Sequence, residues 1–97
     1  MGPKRRRYLF VLNAVSGAKT VDWKGIISDY FSSSSHVVEF YVLPEKINTQ
    51  EISAAIGSFK ADHVVAVGGD GTVTLLAGCV IDTDVSLGII PGVRPTE

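Results

Sequence analysis

His63-Val64-Val65-Ala66-Val67 runs directly into Gly68-Gly69-Asp70-Gly71-Thr72, and the junction between the two halves decides the fold. A continuous apolar run rich in β-branched residues suits a strand covered on both faces, as in a parallel sheet. Three glycines then interrupt it before an apolar stretch from Thr72 to about Cys79 that reads as helical. Glycine permits positive φ and leaves backbone N–H groups uncovered, and the dipole of a following helix favours negative charge. Strand, glycine loop and helix start together predict a phosphate loop.

The loop is not of the Walker A type, because no Gly-Lys-Ser/Thr ending follows and no lysine lies nearby. As a dinucleotide fingerprint it matches two glycines, Gly69 and Gly71, with Thr74 in the place of the third. Asp70 is the unexpected residue, since a carboxylate among phosphate-binding amides repels the ligand unless something offsets it. Three roles stay open for it. It holds Mg²⁺ through water, takes a proton from an attacking hydroxyl, or accepts N–H bonds in an Asx turn or helix cap. Thr72 divides between helix capping and phosphate binding.

Working outward, strand and helix patterns alternate along the chain. Tyr8 to Leu12 is a second buried-strand run, ending in Asn13 and the loop Ala14-Val15-Ser16-Gly17-Ala18. Trp23, Ile26, Ile27, Tyr30 and Phe31 keep the spacing of one helical face, which ends in Ser32 to Ser35. Val37 to Leu43 predicts a strand closed by Pro44. Asn48 with Glu51 three positions on resembles a capping box and predicts a helix from about 49 to 59, and Ser86 to Ile90 a last short strand. This alternation is that of an α/β domain: a three-layer, Rossmann-like parallel sheet with helices on both faces. Ligands bind such sheets at the carboxyl ends of the strands, so the loops at 14–18 and 68–71 are expected on one edge.

Composition limits the alternatives. The 97 residues suit one small domain or a piece of a larger one, and 45% hydrophobic against 20% charged residues, with mean hydropathy +0.26, describe a foldable globular chain. Four basic residues are concentrated at Lys4-Arg5-Arg6-Arg7, whereas from Tyr8 onward five basic side chains face ten acidic ones. An acidic body argues against a nucleic-acid-binding domain. The residues at 1–7 read as a basic arm on a domain at 8–97. The arm is a solvated terminus, a localisation-type cluster or an attraction to anionic lipid. Cys79 is the single cysteine and sits in an apolar run, where a buried thiol is expected. With no membrane-length apolar stretch and no signal-peptide pattern, a cytoplasmic chain is expected. His36 and His63 lack metal-ligand spacing and read as structural, Trp23, Tyr30 and Phe31 read as core, and Ser16 has no histidine partner for hydrolysis.

Three matches in order now carry a resemblance. Asn13-Ala14-Val15-Ser16-Gly17 is similar to an Asn-Pro-x-Ser-Gly loop, Gly68-Gly69-Asp70-Gly71-Thr72 to a Gly-Gly-Asp-Gly-Thr core, and Leu87-Gly88-Ile89-Ile90-Pro91 to the strand before a third motif. The chain thereby resembles the nucleotide-binding domain of the diacylglycerol kinase catalytic family, which includes sphingosine kinase-like proteins and is distantly similar to NAD kinases and phosphofructokinases. The resemblance implies ATP and Mg²⁺ as cofactors. It implies nucleotide contacts at Asn13, Ser16, Gly17, Gly68, Gly69, Asp70, Gly71 and Thr72, and a catalytic or magnesium-handling role for Asp70. Its implied acceptor is a lipid hydroxyl at a membrane surface, diacylglycerol- or sphingosine-like, so peripheral membrane association is expected of the parent protein.

Ala14 stands where the family has proline, Thr74-Leu75 where it often has Asn-Glu, and the residues after Pro91 depart from its third motif. The family also carries a second, β-rich domain lining the active-site cleft. The expectation is therefore the N-terminal half of a two-domain kinase, inactive by itself, with self-association left open. The competing readings are a non-enzymatic nucleotide-binding or regulatory module and an NAD-kinase-like or sugar-phosphate kinase.

Overall fold

The computed structural model describes residues 5–13, 23–44, 46–68 and 70–91, with Asn13, Asp70 and Pro91 described by their backbone. The element order is β1 (Arg7–Asn13), α1 (Trp23–Tyr30), β2 (Val37–Leu43), α2 (Thr49–Phe59), β3 (His63–Gly68), α3 (Asp70–Val80) and β4 (Ser86–Pro91). The four strands form one sheet in the order β2-β1-β3-β4, every pair parallel. This is the α/β, Rossmann-like layer that the sequence predicts.

Each inner strand is apolar through its centre, Leu9 to Leu12 and Val64 to Val67, because both its faces are covered. Leu9, Val11, Val64 and Ala66 point to one face, where they form a core with Ile52 and Ile56 of α2 and Leu76 and Val80 of α3. Phe10 and Val67 point to the other, against Ile27 of α1 with Trp23 and Phe31 beside it. The division follows from connectivity. The chain steps from β1 to β2 in one direction and then back across the sheet to β3 and β4. Right-handed crossovers made in opposite directions place their helices on opposite faces.

Among the described residues one short helix covers the second face, and incompletely. The spacing of Trp23, Ile26, Ile27, Tyr30 and Phe31 predicts an inward apolar stripe, yet Ile27 alone of α1 is buried, while Ile26 is 53% and Tyr30 79% exposed. Between α1 and β4 runs an apolar groove of about 390 Å³, floored by Val65 and Gly88 and flanked by Ile26, Tyr30 and Ile89. α2 is better bounded. The Asn48 carboxamide accepts from the N–H groups of Gln50 and Glu51, and Lys60 closes the helix in the left-handed conformation at φ 57°. Cys79 is half-buried against the larger core rather than fully enclosed.

Candidate functional site

Parallel pairing brings three strand ends to a common edge. Asn13 is in register with Leu43, Leu12 with Val67, and Gly68 with Pro91. The residues that end β1, β3 and β4 thus stand side by side; Asn13 and Gly68 open two of the three stretches singled out in the sequence, and Pro91 closes the third. Between β1 and β3 the direction of winding reverses, so the chain leaving β1 serves the α1 face and the chain leaving β3 serves the α3 face. Such a switch point opens a crevice at the carboxyl edge of a parallel sheet.

The turn at this edge depends on Gly68. Its φ of 148° lies where L side chains are strained, so β3 ends in a conformation that glycine alone adopts readily. Two residues later α3 has begun, at Asp70 rather than at the expected Thr72. Gly71 argues against helix by intrinsic propensity, about 1 kcal/mol relative to alanine. Packing overrides it: Thr72, Leu76 and Val80 form a buried stripe at helical spacing, 4%, 0% and 9% exposed. Thr72 is therefore the third residue of the helix and one of its anchors. It does not cap the helix, which corrects one of the two roles the sequence left open for it.

Gly71, one residue earlier, is exposed, and among the described residues a Cβ built on it would meet no atom within 4 Å beyond its chain neighbours and its own helix backbone. No packing among the described residues explains glycine there, so with respect to them the bare Cα faces space at the mouth of the helix. The first N–H groups of α3 have no acceptor within the helix and lie at its positive end. Asp70 opens that helix, a position that favours a carboxylate whether or not phosphate is also bound.

Of the residues expected to contact nucleotide, Asn13, Gly68, Asp70, Gly71 and Thr72 share this edge, with Asn13 and Asp70 placed by their backbone. Ser16, Gly17 and Gly69 lie outside the described residues. Thr74, which replaces the third glycine of a dinucleotide fingerprint, is exposed, and Leu75 packs partly against the larger core. Pro91, absent from the expected site, joins the edge through its register with Gly68. Among the described residues no group of three or more histidine, cysteine, aspartate or glutamate side chains is assembled to hold a metal, and no helix is long and apolar enough to cross a membrane.

No curated protein matches the chain. The family model for the diacylglycerol kinase catalytic domain matches residues 7–92, from the first residue of β1 to just beyond β4. That span takes in all seven elements and the three strand ends of the shared edge. A kinase-type phosphotransferase domain accounts for a glycine-lined, positively poled helix mouth at a switch point, and the chain belongs to the diacylglycerol kinase catalytic domain family.

Proposed function

We propose that this chain is the ATP-binding part of a lipid kinase, with the nucleotide phosphates seated over Gly68 to Thr72. The observation that carries the reading is the pair of glycines around the start of α3. Gly68 turns the chain at φ 148°, and Gly71 leaves uncovered space beside the first helical N–H groups. Backbone donors fixed in this way need no side chain to hold a phosphate and are preorganised for the charge it carries. Asn13, Ser16 and Gly17 complete the nucleotide side from the neighbouring strand end, and the buried Thr72 contributes through its backbone.

Phosphoryl transfer relies on positioning and electrostatic stabilisation more than on covalent chemistry by the protein. Asp70 is the residue we assign to the reaction, either orienting the attacking hydroxyl or holding Mg²⁺ through water. Bound Mg²⁺ would supply neutralisation of phosphate charge. The acceptor is a lipid hydroxyl, and its pocket is assigned to the β-rich domain that the resemblance implies for the parent protein. The isolated sheet is thus expected to bind nucleotide weakly and not to turn over.

The test is titration of Mg-ATP into the chain while amide shifts are followed. Movement of Gly68, Gly71 and Thr72 supports the reading, and unmoved amides at millimolar nucleotide reject it. A second reading, a nucleotide-binding module without turnover, rests on Leu75, which fills with hydrocarbon a position where the resemblance implies a carboxylate. A radiolabel transfer assay on the natural gene product with diacylglycerol or sphingosine vesicles separates the two: labelled lipid supports the kinase, and nucleotide binding without transfer supports the module.

A further inference from the structure

The amino-terminal edge of the sheet, opposite the glycine turn, carries two histidines that phosphate chemistry does not use. The Arg6 N–H, just before β1, donates to Nδ1 of His36 at 3.0 Å, while the Arg6 carbonyl accepts from the Val37 N–H at 2.9 Å. One residue on, the Arg7 N–H donates to Asp62 Oδ2 at 2.8 Å. Two successive amides at the entry to β1 are therefore held by side-chain acceptors. One acceptor precedes β2 and the other precedes β3.

Aromatic packing fixes the His36 ring. Tyr8 meets it edge-on at 5.4 Å and Phe31 at 6.2 Å, and the His36 backbone N–H donates to Ser34 Oγ at 3.3 Å. An imidazole that accepts at Nδ1 carries its proton on Nε2. A second proton would turn Nδ1 into a donor aimed at another donor, replacing an attraction with a repulsion. Histidine is the side chain whose charge changes between pH 5 and 8.

The surrounding charges reinforce the effect. Arg5 and Arg6 precede β1 and share the sign of an imidazolium. His63 of β3 stacks on Tyr8 at 4.8 Å. The carboxylate at this edge, Asp62, is engaged by the Arg7 amide. From the segment after α1 come Phe31 and Ser34, neither of them charged. We propose that His36 is a proton-operated clasp on the basic run. Neutral, it ties the Arg6 amide to the entry of β2; protonated, it releases that amide, while the Arg6 carbonyl stays on the Val37 N–H and Arg7 stays held by Asp62. This inference is independent of the nucleotide site.

The experiment is amide hydrogen exchange by NMR on the full chain, expressed as protection relative to an unstructured peptide, from about pH 8 to about pH 5.5, the range in which histidine titrates. Protection at Arg6 should fall about tenfold, the worth of one lost hydrogen bond, in step with the His36 ring resonances. Protection at Arg7 should hold. His36→Asn offers an acceptor near the Nδ1 position with no proton to gain, and should keep Arg6 protected throughout. His36→Phe keeps a ring but no acceptor, and should leave Arg6 unprotected at both extremes. The clasp is overturned if Arg6 protection is flat in the unmodified chain, if Arg7 loses protection alongside it, or if the loss persists in His36→Asn, which would move the effect to His63.

Discussion

Arg7 and Asp62 exchange hydrogen bonds: the Arg7 N–H donates to the Asp62 carboxylate at 2.8 Å, and the Asp62 N–H returns one to the Arg7 carbonyl at 2.8 Å. Arg7 also lays its guanidinium over the Phe59 ring, with Cζ 4.4 Å from the centroid, and donates from Nε to the Phe59 carbonyl. One residue of the basic cluster is thus the first residue of β1 and a tie between that strand and the end of α2. Asp62→Ala removes one acceptor at an exposed site and is expected to cost about 1 kcal/mol. That is about 4–8 °C in Tm for a domain of this size, read by thermal denaturation. Arg7→Lys should also lose stability, because an ammonium keeps the charge but not the planar stacking on Phe59.

Gly68 turns at φ 148°, so any side chain there is strained. Gly68→Ala should destabilise the fold by about 1–3 kcal/mol and lower the denaturant midpoint with an unchanged m-value. Unchanged stability would show that the turn tolerates a side chain and that the glycine serves something other than backbone geometry.

Gly71 makes the opposite prediction, since among the described residues nothing crowds its missing Cβ and it lies inside a helix. Gly71→Ala should stabilise the fold by about 0.5–1 kcal/mol through helix propensity. In the same variant the ATP-induced shifts should vanish, because the methyl group occupies the space where we seat a phosphate. A stabilised variant that binds ATP normally would remove Gly71 from the site.

Thr72 is 4% exposed in the stripe that anchors α3. Thr72→Val should fold and still bind Mg-ATP, as measured by the same amide titration, because in the site we propose the backbone N–H and not the hydroxyl of this buried residue would meet the phosphate. Loss of binding with the fold intact would return the hydroxyl to the phosphate.

Lys60 ends α2 in the left-handed region at φ 57°, with its N–H on the Gly57 carbonyl and the Ala61 N–H on the Ile56 carbonyl. Glycine is the residue that adopts this conformation without a Cβ penalty. Lys60→Gly should therefore stabilise the protein, by about 0.5–1 kcal/mol, with a raised Tm as the readout.

The sequence was most legible where local chemistry and tertiary packing agree. Asn48 sets the start of α2 by a hydrogen bond that needs no distant partner, and α2 occupies the expected 49 to 59. Strands β1 and β3 announce themselves because burial on both faces leaves their central stretches, Leu9 to Leu12 and Val64 to Val67, without polar positions. Where the two levels conflict, the reading slips. The start of α3 was hidden because Gly71 disfavours helix locally, whereas the stripe of Thr72, Leu76 and Val80 imposes it. Ile26 and Tyr30 carry a helical apolar pattern and yet remain exposed, because coverage of a face depends on how many helices the winding sends there. The order of strands, and with it the company kept at the edge by Asn13, Gly68 and Pro91, is a property of pairings remote in sequence. The contact between Arg6 and His36, 30 positions apart, is of the same kind.

Strand order also has a consequence for how the chain reaches its fold. β1 is first in sequence but second in the sheet, between β2 and β3. Its pairing with β2 closes a short βαβ unit, whereas its other edge stays without a partner until residues 63–68 arrive. A chain growing on the ribosome that has passed β2 but not β3 presents Tyr8 to Leu12 as an open, apolar strand edge. In that interval it is most exposed to pairing with the wrong partner.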